Sequence, residues 1–321
     1  MNNKITTFPK DSAYFLEQNV SFATWQQQVR FYRDIFITRA ETTWLLFTED
    51  SYTFSLYFFA LIAANKRIVL PPNGQPEQLK QCMESADIFL GSFADNSDKT
   101  ITKSVNRFEL VEPADKANVV NTSNHKLELR LDSDIVFFTS GSSGQSKAIN
   151  KSFHQLILEV ELLEKTFGNR LDALSDGSLK AIVMATVSHQ HIYGLLFKLL
   201  WPIWSGRHLH LSAFSYPEHL VQQIISYQQS EHARRKICLI SSPAYYHRLL
   251  SDNVLVQVKE QFSVLFSSGG PLHAEAAIEL KSSLTTPVEV FGSTETGGIA
   301  WRQRAAIDDV YNVRMIMMSN N

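Results

Sequence analysis

Short apolar runs alternate with helix-length amphipathic stretches along nearly the whole chain. Trp44 to Phe47 reads as a buried strand, and residues 51–64 follow as an apolar stretch of helical length. Arg67 to Leu70 predicts a strand that stops at Pro71-Pro72, and residues 75–85 predict an amphipathic helix with Leu79, Cys82 and Met83 on one face. Ile88 to Leu90 and Phe108 to Val111 read as further short strands. Ile135 to Phe138 is a buried strand, and Leu156, Val160, Leu163 and Phe167 recur at helical spacing soon after it. Ala181 to Val187, Lys236 to Ser241, Phe262 to Ser267 and Val288 to Phe291 continue the alternation. Apolar strands alternating with helices predict an α/β fold built on mostly parallel sheet.

Composition changes this picture little. Hydrophobic residues make up 44% and charged residues 19%, which suits a large core and excludes a disordered chain. Lys and Arg total 30 against 32 Asp and Glu, a net charge of −2 with no basic run, so there is no nucleic-acid footprint. Two cysteines, Cys82 and Cys238, make neither a disulfide scaffold nor a zinc module, and point to a reducing, cytoplasmic setting. The longest uncharged apolar run, Leu56 to Ala64, falls far short of the about 20 residues needed to span a bilayer. Residues 91–134 are polar and read as surface loops around one strand. The pattern fades over residues 302–321, which read as an irregular tail.

The strand at 135–138 runs into Thr139-Ser140-Gly141-Ser142-Ser143-Gly144-Gln145-Ser146-Lys147. Small residues let backbone N–H groups approach an anion, hydroxyls add donors, and the lysine adds a point charge for phosphate oxygens. The loop is not a Walker A motif, because Ser146 stands five residues after Gly141 where a Gly-Lys pair is needed. It also lacks the G-x-G-x-x-G pattern and the G-x-S-x-G elbow of hydrolases. By composition alone, a plain Ser/Gly surface loop is an equal alternative.

Phe138 to Lys147 resembles the phosphate loop of the acyl-adenylate-forming superfamily, with Ser146 for the usual proline and Ala148 for the final glycine. Three more segments resemble that family in the right order. Ser188-His-Gln-His191-Ile192-Tyr193-Gly194 is similar to its F-H-I-Y-A/G segment, Ser267-Ser-Gly269-Gly270-Pro271-Leu272 to its S-G-G/A-x-P-L turn, and Phe291-Gly292-Ser-Thr294-Glu295 to its Y-G-x-T-E segment. The run from Gly292 to Gln303 also resembles ligase-like proteins of bacterial aryl-polyene pathways.

The resemblance implies a layered αβαβα N-terminal domain over residues 1–301, with subdomains at about 40–175 and at 1–39 plus 176–301. It implies that Thr139, Ser140, Gly141, Ser142, Ser143, Gly144 and Lys147 bind phosphate, and that Gly269, Gly270, Pro271, Phe291 and Gly292 line the adenine. His191, Ile192, Tyr193 and Gly194 would border the acyl pocket. Lys147, Thr294 and Glu295 would be catalytic, with Glu295 holding Mg²⁺. The implied reaction activates a carboxylic acid, aryl or medium- to long-chain acyl, with ATP, then passes it to CoA or a carrier-protein phosphopantetheine thiol. An acyl carrier protein is the macromolecular partner this allows. The family's next parts, a small β-subdomain and a C-terminal lid with a lysine, have no counterpart in the short stretch after Glu295. The expectation is therefore an N-terminal portion that is slow or inactive on its own.

Each segment has an alternative reading. His189 and His191 could share a metal, but no third ligand stands at a sensible spacing. His208 and His210 read as strand surface, Pro271 suits a first helical turn, and Glu295 could be a solvated loop carboxylate. A non-catalytic nucleotide binder, or a serine acyltransferase using Ser142 or Ser143 with His154 or His191, are the rival functions. The missing elbow argues against the second.

Overall fold

The computed structural model describes residues 4–91, 108, 126–139, 147–172, 179–251, 253–304, 306 and 313–316. The chain forms two compact units, residues 1–11 with 18–158, and residues 12–17 with 159–321. The expected grouping of 1–39 with the second unit is corrected, since only 12–17 join it, and the boundary lies at 158, not 175. Sequence periodicity marks an apolar helix face but not which sheet that face serves.

In chain order the first elements are β1 (Ile5–Thr6), β2 (Tyr14–Phe15, in the second unit), β3 (Val20–Ser21), α1 (Phe22–Ile37), β4 (Thr43–Phe47) and α2 (Ser51–Ala63). Then come β5 (Arg67–Leu70), α3 (Pro76–Met83), β6 (Ile88–Gly91), β7 (Leu129–Arg130), β8 (Asp134–Thr139), β9 (Lys147–Ser152) and α4 (Phe153–Asp172). The first unit's main sheet has the order β6-β4-β5-β8-β9, parallel except for the β8–β9 pair. Trp44, Leu45 and Leu46 are buried, as expected of a parallel strand covered on both faces. α2 is buried on nearly all sides, which explains why its sequence shows no polar face. Asp50 caps it by accepting from the Thr53 N–H at 2.6 Å. Phe8, Phe22, Trp25 and Phe59 pack ring against ring at 5.1–5.5 Å, and the Trp25 indole donates to Ser55 Oγ at 2.9 Å.

The second unit continues with β10 (Ile182–Ala185), a helical stretch that is α over Ile192–Gly194, π over Leu195–Leu200 and α over Trp201–Ser205, β11 (His208–Ala213) and α5 (Pro217–Gln228). β12 (Ile237–Ser241), α6 (Pro243–Ser251), β13 (Phe262–Ser267), α7 (Ala274–Ser283), β14 (Val288–Ser293), β15 (Gly297–Arg302) and β16 (Val313–Met315) complete it. Its sheet runs β16-β15-β14-β13-β12-β10-β11-β2, parallel from β2 to β14 and antiparallel thereafter. The expected irregular tail therefore contains a strand, β16, whose backbone pairs with β15. Its side chains are exposed, and a three-residue run that buries little carries no hydrophobic signature.

Two buried polar groups anchor this unit. Arg207 is fully buried, and its guanidinium donates to Asp172 at 2.8 Å, to Glu164 at 3.1 Å and to the Gly168 carbonyl at 3.1 Å. Burial pushes the Asp172 carboxyl up, but the Arg207 charge and bonds from Lys180 and the Ala181 N–H outweigh it and hold the pKa below the usual range. His208 and His210 are not strand surface, as read from the sequence. His210 is buried, with Nδ1 2.8 Å from the Tyr227 hydroxyl and Nε2 3.4 Å from Glu17. Burial, helped by the charges of Arg235 and His232, pushes His208 down to about 3. The partners of His210, Tyr227 on α5 and Glu17 just after β2, lie far from it in sequence, and β11's own residues carry no mark of them.

Candidate active site

The second unit places three of the four motifs at the carboxyl ends of parallel strands. His189–Gly194 follows β10, Ser268–Gly270 follows β13, and Thr294–Thr296 follows β14. The order β14-β13-β12-β10 puts these segments on one edge of the sheet, the first separated from the others by β12. Ligands of open α/β sheets bind at this edge, where backbone groups are unpaired and loops can be shaped freely.

Each segment is locally fixed. At the end of β12, Ser241 accepts on its carbonyl from the Tyr193 hydroxyl at 3.2 Å, and its own hydroxyl lies 2.8 Å from Thr186. Burial raises the Tyr193 phenol well above its ordinary pKa, so it stays a neutral donor. Gly194 sits where a Cβ would stand 1.9 Å from the Ser188 carbonyl oxygen, so no other residue fits that turn unless the backbone shifts. His191 caps the short helix by position only and is exposed, and partial desolvation lowers its pKa.

Ser268 ties its turn to β14 by donating to the Val290 carbonyl at 2.9 Å. Gly269 has φ +85°, and none of the described residues stands within 4 Å of where its Cβ would be. Among the described residues, a Cβ on Gly270 would meet Pro243 alone, at 4.0 Å. The two glycines thus present bare backbone to open space, as a flat ring would need. Pro271 is exposed and precedes the helix, which starts at Ala274, so the first-turn reading of Pro271 is corrected. Ser267 Oγ is buried and unpartnered at the same strand end.

The β14–β15 hairpin carries the last motif. Ser293 N–H donates to Thr296 Oγ1 at 3.1 Å, and Thr296 N–H returns a bond to Ser293 Oγ at 3.3 Å. This reciprocal pair holds Thr294, half-buried, and Glu295, exposed, at the tip. The Arg302 guanidinium lies 5.1 Å from the centre of the Phe291 ring while its two nitrogens grip Glu289 at 2.9 and 2.7 Å.

Glu295 alone among these side chains suits a hard cation. Mg²⁺ is commonly held by one or two carboxylates plus substrate phosphates rather than by a protein cage. The described residues contain no group of three or more His, Cys, Asp or Glu placed to hold a metal. His189 is instead buried, with its ring nitrogen 3.2 Å from the Gln190 side chain.

The phosphate-loop segment belongs to the first unit. Thr139 and Lys147 are paired across β8 and β9, so a strand follows Lys147 where the sequence reading passed from the loop to a helix. Ser140, Gly141, Ser142, Ser143 and Gly144 lie outside the described residues. Thr139 is half-buried, and Lys147 is exposed.

One residue of the site went unread in the sequence. Glu159, on α4, accepts from the Gly298 N–H at 3.3 Å and lines two cavities beside the hairpin. Its signal was a carboxylate next to Leu156, Leu162 and Leu163 on the helix's apolar side, but the partner strand lies far off in sequence.

The AMP-binding enzyme family model matches residues 6–315. A 4-coumarate–CoA ligase of Cereibacter sphaeroides is 29% identical over 180 residues, which covers 52% of this chain and 37% of that protein. The fold matches ATP-bound MatB from Rhodopseudomonas palustris with a TM-score of 0.72 at 15% identity, over 96% of this chain and 60% of that one. It matches O-succinylbenzoate coenzyme A synthetase from Bacillus subtilis, in complex with AMP, with a TM-score of 0.68 at 14% identity, over 92% of this chain and 59% of that one. The chain thus spans 37% of the curated relative and about 60% of these solved structures. Among the described residues, no helix is long and apolar enough to cross a membrane. With matched residues reaching almost from one end to the other, and three motifs seated on one edge of the same sheet, the chain belongs to the AMP-binding enzyme family.

Proposed function

We propose that this chain carries the adenylate-forming part of an acid–thiol ligase. In that reading ATP and a carboxylic acid, aryl or medium- to long-chain acyl, form an acyl-adenylate and pyrophosphate. CoA or a carrier-protein thiol then takes the acyl group. The observation that carries the proposal is the seating of three motifs at the carboxyl ends of β10, β13 and β14, on one edge of a single sheet, within one family match.

The residues have roles that suit this chemistry. A carboxylate is a weak nucleophile and the triphosphate is strongly anionic, so the protein must align the two and offset charge. Alignment can contribute about 7–11 kcal/mol in favourable cases. Gly269 and Gly270 offer bare backbone for the adenine, with Pro271, Phe291 and Gly292 beside them. Thr294 donates to the α-phosphate. Thr139 and Lys147, with Ser140, Gly141, Ser142, Ser143 and Gly144, cradle the distal phosphates. His191, Ile192, Tyr193 and Gly194 border the acid. Glu295 holds Mg²⁺, which when bound screens the phosphate oxygens as a Lewis acid.

The test is ATP–pyrophosphate exchange across a panel of aryl and aliphatic acids, on the 321-residue chain alone and with a family C-terminal domain added in trans. Acid-dependent exchange in either arrangement supports the proposal. Nucleotide binding without exchange in both would replace it with a non-catalytic nucleotide binder.

A further inference from the structure

The face of β14 and β15 that carries Phe291 also carries a buried ion cluster that the roles proposed above do not use. Glu289 pairs with Arg302, and Phe291 with Ala300, across the two strands. Alternation along each strand puts Glu289, Phe291, Ala300 and Arg302 on one side of the sheet. Glu289, Arg302 and Arg304 are 3%, 8% and 9% exposed. Arg302 grips both oxygens of the Glu289 carboxylate, at 2.9 and 2.7 Å, and Arg304 Nε adds a bond to Oε1 at 3.0 Å. The small Ala300 stands opposite Phe291, so the Arg302 guanidinium reaches diagonally past it to within 5.1 Å of the ring centre. The register of the hairpin shifts just after Phe291, and an irregularity at such a point fixes where a side chain aims.

We propose that Arg302 is a positioning residue for the nucleotide base: held by Glu289, it braces the Phe291 ring in the plane on which adenine stacks. The proposal rests on the ligase reading above, in which Phe291 lies beside the adenine. β15 flanks β14 on one side and β13 on the other. Ser267 pairs with Glu289, and Gly269 and Phe291 each follow that pair by two residues. Arg302 therefore supports the ring from the β15 side, while the bare backbone of Gly269 and Gly270 lies on the β13 side. A half-buried phenyl ring without a brace loses rotational freedom when a purine settles on it. A bidentate fork is held in one orientation, so the guanidinium fixes the ring before the base arrives. The cation also draws π density toward itself. That leaves the rest of the ring surface less negative and better matched to an electron-rich purine. The planar guanidinium suits both tasks, whereas an ammonium in its place follows the Glu289 charge and leaves the ring.

Nucleotide binding tests it. Proton saturation-transfer NMR titrations with ATP would compare the wild-type chain, Arg302→Lys, Phe291→Leu and the double variant, with thermal unfolding of each. Arg302→Lys keeps a charge for Glu289 and leaves the long-range attraction for phosphates unchanged. It should unfold close to wild type yet bind ATP about fivefold more weakly. Saturation at the adenine protons relative to the ribose protons should fall with it. Phe291→Leu should weaken ATP at least as much, and the double variant no further, because Arg302 acts through the ring. An arginine that serves structure alone would change the unfolding temperature and leave the ATP affinity and the proton ratio where they were. Should Arg302→Lys not fold, Glu289→Gln decides, because it keeps the shape, loosens the grip on Arg302 and must weaken ATP by about twofold or more. An ATP affinity unmoved by the substitution, losses that add in the double variant, or no ATP binding by wild type overturns the inference. Acid-dependent exchange with an ATP affinity independent of Arg302 would remove this inference alone. An Arg302-dependent ATP affinity without any exchange would remove the ligase reading alone.

Discussion

Thr139 and Lys147 face each other as paired residues on the last rung of the β8–β9 ladder, and the Thr139 hydroxyl lies 3.4 Å from the Lys147 carbonyl. A ladder end of this kind fixes the position of the Lys147 backbone while its side chain remains exposed to an anion.

Lys147→Ala should leave thermal stability within about 0.5 kcal/mol, because the side chain is exposed. Affinity for ATP should fall more than affinity for AMP, since the loop is assigned to the distal phosphates. Calorimetry with both nucleotides reads this directly, and equal losses would contradict the assignment.

Glu295→Ala should also fold normally, because Glu295 is exposed on a turn closed by Ser293 and Thr296. ATP affinity measured with and without Mg²⁺ should lose most of its metal dependence. A folded variant with unchanged Mg²⁺ dependence would show that the cation is held elsewhere.

Gly194→Ala places a methyl group in the Ser188 carbonyl oxygen and should destabilise the chain by about 1–3 kcal/mol. Urea unfolding measures this. A neutral result would mean that the turn relaxes freely, and the constraint on the Tyr193 segment would then be weaker than its geometry implies.

The pH dependence of stability has two separable parts. His208 is pushed down to about 3, so below about pH 6.5 the unfolded chain takes up a proton that the folded chain refuses. Its contribution is complete above about 6.5 and is lost progressively as pH falls toward 3. His208→Leu should flatten the fall in Tm between about pH 6.5 and 5. Asp172 has the carboxylate case: its lowered pKa adds stability above the ordinary aspartate value of about 3.9, and that is lost below it. Asp172→Asn leaves Arg207 short of a partner and should cost about 3 kcal/mol at pH 7, with the gap to wild type closing below about pH 4. A Tm profile of the three proteins from pH 7 to 3.5 separates the two windows.

The α/β class and most element positions were legible in the sequence, because fully buried parallel strands such as Phe262–Ser267 and Arg67–Leu70 write themselves as unbroken apolar runs. The four motifs were legible for a related reason: turns that must expose backbone or approach it closely, as at Gly269 and Gly194, accept few residue types. What the sequence could not supply was strand order, since hydrogen bonding between β10 and β12, or β13 and β14, leaves no trace in either strand's own pattern. Only the tertiary structure decided that His191, Gly269 and Glu295 share one edge. It alone turned β9 into the second arm of a hairpin and took His208 and His210 off the surface. It alone brought Glu159 to Gly298 across well over a hundred residues of chain. Local pattern records how deeply a residue is buried and what backbone it needs, while the identity of its neighbours is settled by packing between segments that carry no mark of one another.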